Sequence, residues 1–338
     1  MPVTLREVAA QLNLSPGLVS RVLNHDEGVR VSEKTRQRIH ATAREMQYRP
    51  SPSARALSTG RSRQIAVSSA DEGLHSYRSS RLLEQQGLVE AVARQGYRVV
   101  LFPSHSDRPD SRDFEAALYS SGCDGFCLDA AQGSPEVYAS LRRLAAPFVV
   151  LGNPGDLSLL QVDHDNYHYS YDAVAWLREQ GHTRIGFSDF LPAAAQPFAL
   201  DLHQGFQDGM NALCDGFEPA YVLGAQAGPA ERLDFLQGPR APTALIVRDW
   251  RGANAWRMVL QAHGMRVPQD ITILAQVSIT EWEYLEPGFA YQAHDPRSLG
   301  LRAGEMILNG IETGSPTEAE VIRLPVLPPQ WRTDWFSG

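Results

Sequence analysis

The sequence predicts two architectures in one chain: a small all-α helix-turn-helix head, and behind it an α/β body of two doubly wound, parallel-sheet subdomains. Three observations lead there. The first 24 residues hold two short capped amphipathic stretches separated by two residues. Basic charge is concentrated at the N-terminus: residues 1–63 carry eleven Lys/Arg against five Asp/Glu, and the remainder 20 against 34, in a chain of net charge -8. From Ile65 onward, short apolar runs alternate with helical patterns, the order that parallel sheets with crossover helices require.

Taking the elements in order, Leu5 to Leu12 reads as a helix with Val8, Ala9 and Leu12 on one face, and Thr4 and Glu7 have capping-box spacing. Asn13-Leu14 makes a tight turn. Ser15 can cap a second helix over Pro16 to Leu23, with Pro16 at the first position, where a missing N–H costs nothing. Val19, Val22 and Leu23 then face inward, and Gly17, Ser20, Arg21 and Asn24 lie on or near the outer face. A polar, basic second helix crossing the first at an alanine is the arrangement that enters a major groove. A basic head on an acidic body places phosphate attraction locally and leaves the body repelled by DNA.

Ser32 caps a third helix running to about Met46, with Ile39, Ala43 and Met46 toward the first two. Tyr48-Arg49-Pro50 breaks it. Ser51 to Ser58 again offers a Ser cap and an early proline, but fewer than two turns, so this segment needs a partner to fold against. Thr59 to Arg63 is a basic linker. The expected organisation is 1–50 helix-turn-helix domain, 51–63 hinge helix and linker, and 64–338 ligand-binding and dimerisation domain.

In the body, strands are expected at 65–67, 98–102, 125–128, 148–151, 184–187, 220–223, 244–247 and 271–275. Helices are expected between them at 80–95, 112–121, 136–145, 170–180, 201–213 and 252–264. About 270 residues accommodate two such subdomains, and the cleft beyond their strand ends is the default small-molecule site.

Other classes find little support. There is no apolar signal-peptide core and no stretch near the ~20 apolar residues of a membrane span, so a cytoplasmic protein with no membrane partner is expected. Cys123, Cys127 and Cys214 lack a His/Cys partner set and read as small hydrophobes in a reducing compartment, with no metal and no cofactor. No P-loop, nucleophile elbow, zinc-type helix motif or G-x-G-x-x-G is present, which argues against an enzyme. A solute-binding protein shares this body architecture but has no use for the head.

The head residues Val3-Thr4-Leu5-Arg6-Glu7-Val8-Ala9, Val19-Ser20-Arg21-Val22-Leu23-Asn24, Val31-Ser32-Glu33-Lys34-Thr35-Arg36 and Tyr48-Arg49-Pro50, with Ala54-Arg55-Ala56-Leu57 in the hinge, carry a resemblance to the lactose-repressor (LacI) family of bacterial transcription regulators. Weaker matches follow in the body at Val162-Asp163, Asp165-Asn166-Tyr167, Gly181-His182-Thr183-Arg184-Ile185-Gly186, Gly205-Phe206 and Val267-Pro268-Gln269-Asp270-Ile271. The resemblance implies a periplasmic-binding-protein-like body, with subdomain N at about 64–163 and 294–323 and subdomain C at about 164–293 and 324–338. It implies a sequence-specific repressor of carbohydrate or related catabolic genes, binding palindromic double-stranded operator DNA as a homodimer under control of a small-molecule effector. An activator, or an effector-independent regulator with a degenerate pocket, is the alternative. The family's tetramers carry a C-terminal heptad helix, of which this chain shows no sign.

By the same resemblance, the second helix enters the major groove, and hinge helices of two subunits pair in the minor groove. Leu57 matches the leucine that wedges between central base pairs. Arg21 matches a base-reading arginine. Arg30 and Arg55 contact bases or phosphates, although Asp26-Glu27-Gly28 lengthens the loop before Arg30. Thr4, Ser15, Ser20 and Asn24 are groove or phosphate contacts that could equally be caps. Pro16 and Gly17 stand where relatives carry sequence-reading side chains, so the bases opposite them are read by shape, methyl contact or water.

The effector cleft departs from the family's sugar-binding pattern. Leu202 replaces an expected arginine, Arg248-Asp249 an Asn-Asp pair, and Val277-Ser278 an aspartate-bearing pair, so that only Asp249 survives. The expected effector contacts are Arg248, Asp249, Trp250 and Trp282, with Tyr77 and Arg81. The effector is expected to be sugar-derived or anionic, held by the planar fork of Arg248 with Trp250 or Trp282 stacking on it.

Overall fold

A computed structural model describes residues 3–24, 28–49, 56–57, 59–70, 78–104, 122–130, 133–145, 147–190, 197–314 and 319–332. The chain divides into two compact units, Met1–Arg63 and Gln64–Gly338.

The first unit contains helices α1 (Leu5–Leu12), α2 (Pro16–Leu23) and α3 (Glu33–Glu45). Each starts on a hydroxyl cap, Thr4, Ser15 and Ser32, whose side chain accepts a backbone N–H one turn on. Asn13 adopts the left-handed conformation (φ 54°) that ends α1 and turns the chain into α2, a geometry asparagine tolerates better than most residues. Val8, Ala9, Leu12, Val19, Val22 and Ile39 close a core of their own. The expected inward faces are the observed ones, except that Leu23 and Met46 are only partly buried against that core.

The second unit is built on two six-stranded sheets. The first holds β1 (Gln64–Ala70), β2 (Arg98–Ser104), β3 (Gly125–Asp129), β4 (Phe148–Leu151), β5 (Gln161–His164) and β11 (Val321–Leu324), all parallel, in the order β11-β5-β4-β3-β1-β2. The second holds β6 (Ile185–Phe190), β7 (Val222–Gly224), β8 (Ala244–Val247), β9 (Thr272–Ser278), β10 (Ala290–His294) and β12 (Gln330–Trp331), in the order β12-β10-β9-β8-β6-β7, with β12 alone antiparallel. Helices α4 (Arg78–Ala93), α5 (Pro135–Leu144) and α10 (Pro296–Thr313) pack on the first sheet. Helices α6 (Asn166–Glu179), α7 (Pro197–Leu213), α8 (Pro229–Phe235) and α9 (Trp250–Ala262) pack on the second. Each sheet is a middle layer with an apolar core on either face, as buried parallel sheets require. The chain passes between the sheets three times: after β5, after β10 and after β11.

Several sequence motifs in the body turn out to hold this frame. His182 bridges strand ends, its ring nitrogens each 3.0 Å from the hydroxyls of Thr243 and Thr272. Asp165 caps α6 through the His168 N–H. A Cβ on Gly205 would lie 2.1 Å from the Tyr167 carbonyl oxygen, so the Gly-Phe pair is a close approach of α7 to α6. The expected helix at 112–121 falls outside the described residues.

The helix α10 was not among the expected elements, because its three interior glycines, Gly300, Gly304 and Gly310, dilute the helical signal. Gly300 and Gly304 serve packing. A Cβ on Gly300 would stand 1.8 Å from the Glu84 carbonyl oxygen, and one on Gly87 would stand 2.0 Å from the Arg297 carbonyl oxygen, so α4 and α10 touch backbone to backbone. Gly300→Ala should gain about 1 kcal/mol of helix propensity but lose more by forcing the helices apart, for a net loss of about 1–3 kcal/mol. A thermal melt no lower than that of the parent protein would contradict this packing.

Candidate DNA interface and effector cleft

On the head, α2 presents an outer face of Pro16, Gly17, Arg21 and Asn24, all exposed, with Ser20 half-buried beside them and Arg30 exposed beyond. Thr4 is committed to its cap: its N–H donates to Glu7 Oε2 at 2.7 Å, and the Glu7 N–H donates to Thr4 Oγ1 at 3.3 Å. Ser15 Oγ accepts the Leu18 N–H at 3.3 Å. Asn24 Nδ2 donates to Ser20 Oγ at 3.3 Å. A Cβ on Gly17 would meet nothing within 4 Å, so nothing in the described fold demands a glycine there; it leaves α2 smooth on its exposed side. Leu57, in the helical pair 56–57, is 89% exposed. Arg55, like Asp26 and Glu27, lies outside the described residues.

In the body, a cavity of about 690 Å³ opens between the two sheets, at the ends of their parallel strands. One wall belongs to the first sheet and carries Arg81 and Glu84 on α4, Asp129 on β3, Asn153 after β4, and Asp163 and His164 on β5. Arg81 Nη2 pairs with Asp129 Oδ2 at 2.9 Å. Asp163 accepts the His164 N–H at 2.7 Å and Asn166 Nδ2 at 2.9 Å. Burial, together with nearby Asp129, raises the Glu84 carboxyl from its ordinary 4.5 to about 8. Burial raises Asp163 to about 7, with Asp201 adding to it and the His164 N–H and Arg323 opposing.

The other wall carries Arg232, Arg248, Asp249, Arg251, Gln276 and His294. Arg248 lies with its guanidinium carbon 4.9 Å from the Phe198 ring centre. Burial lowers it to about 10, against the pull of Asp249, so it stays cationic at neutral pH. Asp249 caps α9, accepting the Gly252 N–H at 2.7 Å, and holds φ at 135°, where a side chain is strained; such strain collects at functional sites. Arg232 donates to Ser188 Oγ at 3.3 Å and stacks over Trp256. At the back, His164 and His294 meet edge to face at 4.9 Å, and the Tyr169 hydroxyl reaches His294 Nδ1 at 3.2 Å. Burial lowers His294 to about 4 and His164 well below the usual imidazole value. Both ring nitrogens of His164 and the Gln276 Oε1 are buried without a hydrogen-bond partner among the described residues.

Residues 4–51 match the model for bacterial regulatory proteins of the lacI family, and residues 174–331 match that for a periplasmic binding protein-like domain. The chain carries a LacI-family DNA-binding domain followed by a periplasmic-binding-protein-like domain. It is a DNA-binding transcription regulator, and its relatives are regulators rather than enzymes. It is 25% identical to the HTH-type transcriptional repressor CytR of Escherichia coli (strain K12), over 91% of this chain and 90% of that one. Among solved structures, the lac repressor dimer bound to operator and the anti-inducer ONPF superposes with a TM-score of 0.79 at 20% identity, covering 98% of this chain and 99% of that one. A complex of the transcriptional regulator CelR with cellobiose superposes at 0.68 and 22% identity, covering 98% and 99%. No helix among the described residues is long and apolar enough to cross a membrane.

Set against the LacI-family expectation, the cleft brings together Arg81, Arg248, Asp249 and Leu202 but not the two tryptophans. Trp250, at the start of α9, packs on Tyr284, with ring centres 5.2 Å apart, and against the apolar core of the second subdomain. Trp282 stacks on Tyr291 at 5.7 Å beneath the Arg332 guanidinium. Stacking of either on a ligand in this cavity is therefore not supported. The strand β9 also differs: Gln276 faces the cavity, and Val277, on the opposite face by strand alternation, packs into the apolar core. Tyr77 lies outside the described residues. The sequence reading missed Glu84, His164, Arg232, Gln276 and His294. Only His164 carried a signal, since it adjoins the quoted Val162-Asp163 match.

Because Glu84 ionises near 4.5 in the unfolded chain and only near 8 in the fold, the folded protein loses stability as pH rises across that window. Glu84→Gln should therefore raise the melting temperature by a few degrees at pH 8 and hardly at all at pH 4.5. Equal effects at both pH values would show that Glu84 is not held neutral by its surroundings.

Proposed function

We propose that this chain is a cytoplasmic, homodimeric repressor of carbohydrate or related catabolic genes, whose hold on a palindromic operator is set by a small molecule in the body cleft. The observation that carries the reading is the exposed face of α2, where Arg21 and Gly17 lie one turn apart on a helix fixed at its start by Ser15. An arginine so placed can bond guanine O6 and N7 bidentately. The exposed Leu57 supports the hinge role, since an apolar side chain 89% in water on a short helical segment suits insertion between base steps.

The repressor and effector parts draw on the relatives, of which one is named a repressor, one was solved as a dimer on operator, and one holds cellobiose. The dimer draws also on apolar side chains left exposed on the body: Leu82 and Val89 a heptad apart on α4, Leu101 on the edge strand β2, and Met258 and Tyr284 in the second subdomain. Two-fold pairing of the chain matches a palindrome.

Arg21→Ala should cost about 1–3 kcal/mol per half-site on the preferred sequence and relax preference at one base position. Leu57→Ala should reduce bending and specific affinity while sparing nonspecific binding. Fluorescence anisotropy on operator and random duplexes, with a circular-permutation bending assay, measures both. Equal loss by Arg21→Ala on the two DNAs would remove Arg21 from base reading.

A further inference from the structure

Resting on the regulator reading above, we propose that the cleft takes a small hydroxylated acid, its single anionic group on Arg248 and its hydroxyls toward Glu84, Asp163 and His164. The two walls differ in charge. That of the first sheet bears three carboxyl groups and one arginine, which is engaged by Asp129 at 2.9 Å. That of the second bears Arg232, Arg248 and Arg251 against Asp249 and Glu281. Asp249 accepts the Gly252 N–H at 2.7 Å and Glu281 the Ser278 N–H at 3.0 Å. Arg248 can present its fork to a ligand carboxylate while its flat face rests on Phe198.

At the back of the cavity, His164 and Gln276 leave a donor and acceptors buried and unmet. Orphaned groups of this kind are costly, and a ligand hydroxyl, able both to donate and to accept, answers them. Leu202, buried in the lining, removes the cation that a longer side chain would have offered there. A monoanion fits better than a phosphate dianion, because with Glu84 and Asp163 protonated the lining sets three carboxylates against four arginines, an excess of one positive charge.

The two raised carboxyls fix the sign of a proton linkage. Glu84 faces Arg81 on its own helix, Asp129 on β3 and Asp163 on β5; Asp163 faces Asp201 on α7, Arg323 on β11, Asn166 on α6 and His164 beside it. With these carboxyls raised to about 8 and 7, the negative charge of an acid held on Arg248 disfavours their ionised forms further, and the protonated forms donate to its hydroxyl oxygens. Binding then takes up protons and tightens as pH falls from 8.5 toward 6.5, by up to about tenfold per pH unit for each proton. A neutral sugar donating to the carboxylates would release protons and show the opposite slope. Burial keeps both histidines neutral across this range.

The test is a thermal-shift and calorimetric screen of the full chain against aldonic and uronic acids, the matching neutral aldoses, sugar phosphates and nucleosides, at pH 6.5 and 8.5. Expected are hits among the monocarboxylic acids, tighter at pH 6.5, lost in Arg248→Met and flattened in pH dependence by Glu84→Gln. The melting curves of the unliganded variants confirm that they fold. Hits confined to neutral sugars, phosphates or nucleosides, no hit among the acids, or affinity that rises with pH would overturn the proposal. Operator binding measured on the same preparation separates that failure from failure of the regulator reading.

Discussion

Two sheets, parallel except for β12 and joined by three crossings of the chain, impose the geometry on which the body depends. Parallel strands end on the same side, so the loops after β3, β4, β8 and β9 collect at one end of each sheet, and the crossings bring those ends face to face. The cavity forms there because nothing in such a topology can fill it except the loops themselves. His164 and His294 sit on two of the three crossings and touch each other. The contact between α4 and α10, possible only because Gly87 and Gly300 lack side chains, holds Glu84 at the cavity wall. A molecule in the cleft thus touches the elements about which the subdomains would rotate. It can regulate only by binding their open and closed arrangements unequally.

The head was legible in the sequence almost to the residue, because its structure is local. Thr4, Ser15 and Ser32 are capping residues three positions before the N–H groups they accept, and each inward face follows helical spacing. The strands at 148–151 and 244–247 were equally plain, being short, wholly apolar and buried. What escaped was set by tertiary contact. The helix α10 reads weakly because its glycines serve a neighbouring helix. The strand β5, Gln161-Val162-Asp163-His164, is polar at three of its four positions because Asp163 and His164 face the cavity and Gln161 donates to the Asp156 carbonyl oxygen.

The cleft illustrates the same limit. Arg248 and Asp249 were recoverable because they follow directly on a recognisable strand. Trp250 and Trp282 looked like ligand platforms only from their residue type; their partners, Tyr284 and Tyr291, are long-range or outward-facing neighbours that no local pattern reveals. Glu84 gave no sequence signal at all. Its interest comes from the depth at which α4 places it and from the carboxylates of β3 and β5 opposite, an electrostatic circumstance assembled from three separate segments.

Charge runs through both halves of the molecule with different purposes. In the head, excess cations attract phosphate and would act over distances of a Debye length. In the cleft, carboxyl groups are buried beside arginines at contact distance, where protonation and hydrogen bonding decide what enters. The central claim is that the first of these serves sequence-specific DNA recognition by a pair of chains. Selection of binding sites from a randomised duplex pool by the full-length protein tests it most directly. The account predicts enrichment of an inverted repeat with binding that weakens steeply as salt rises; enrichment of no common sequence, or of a single half-site without two-fold symmetry, would contradict it.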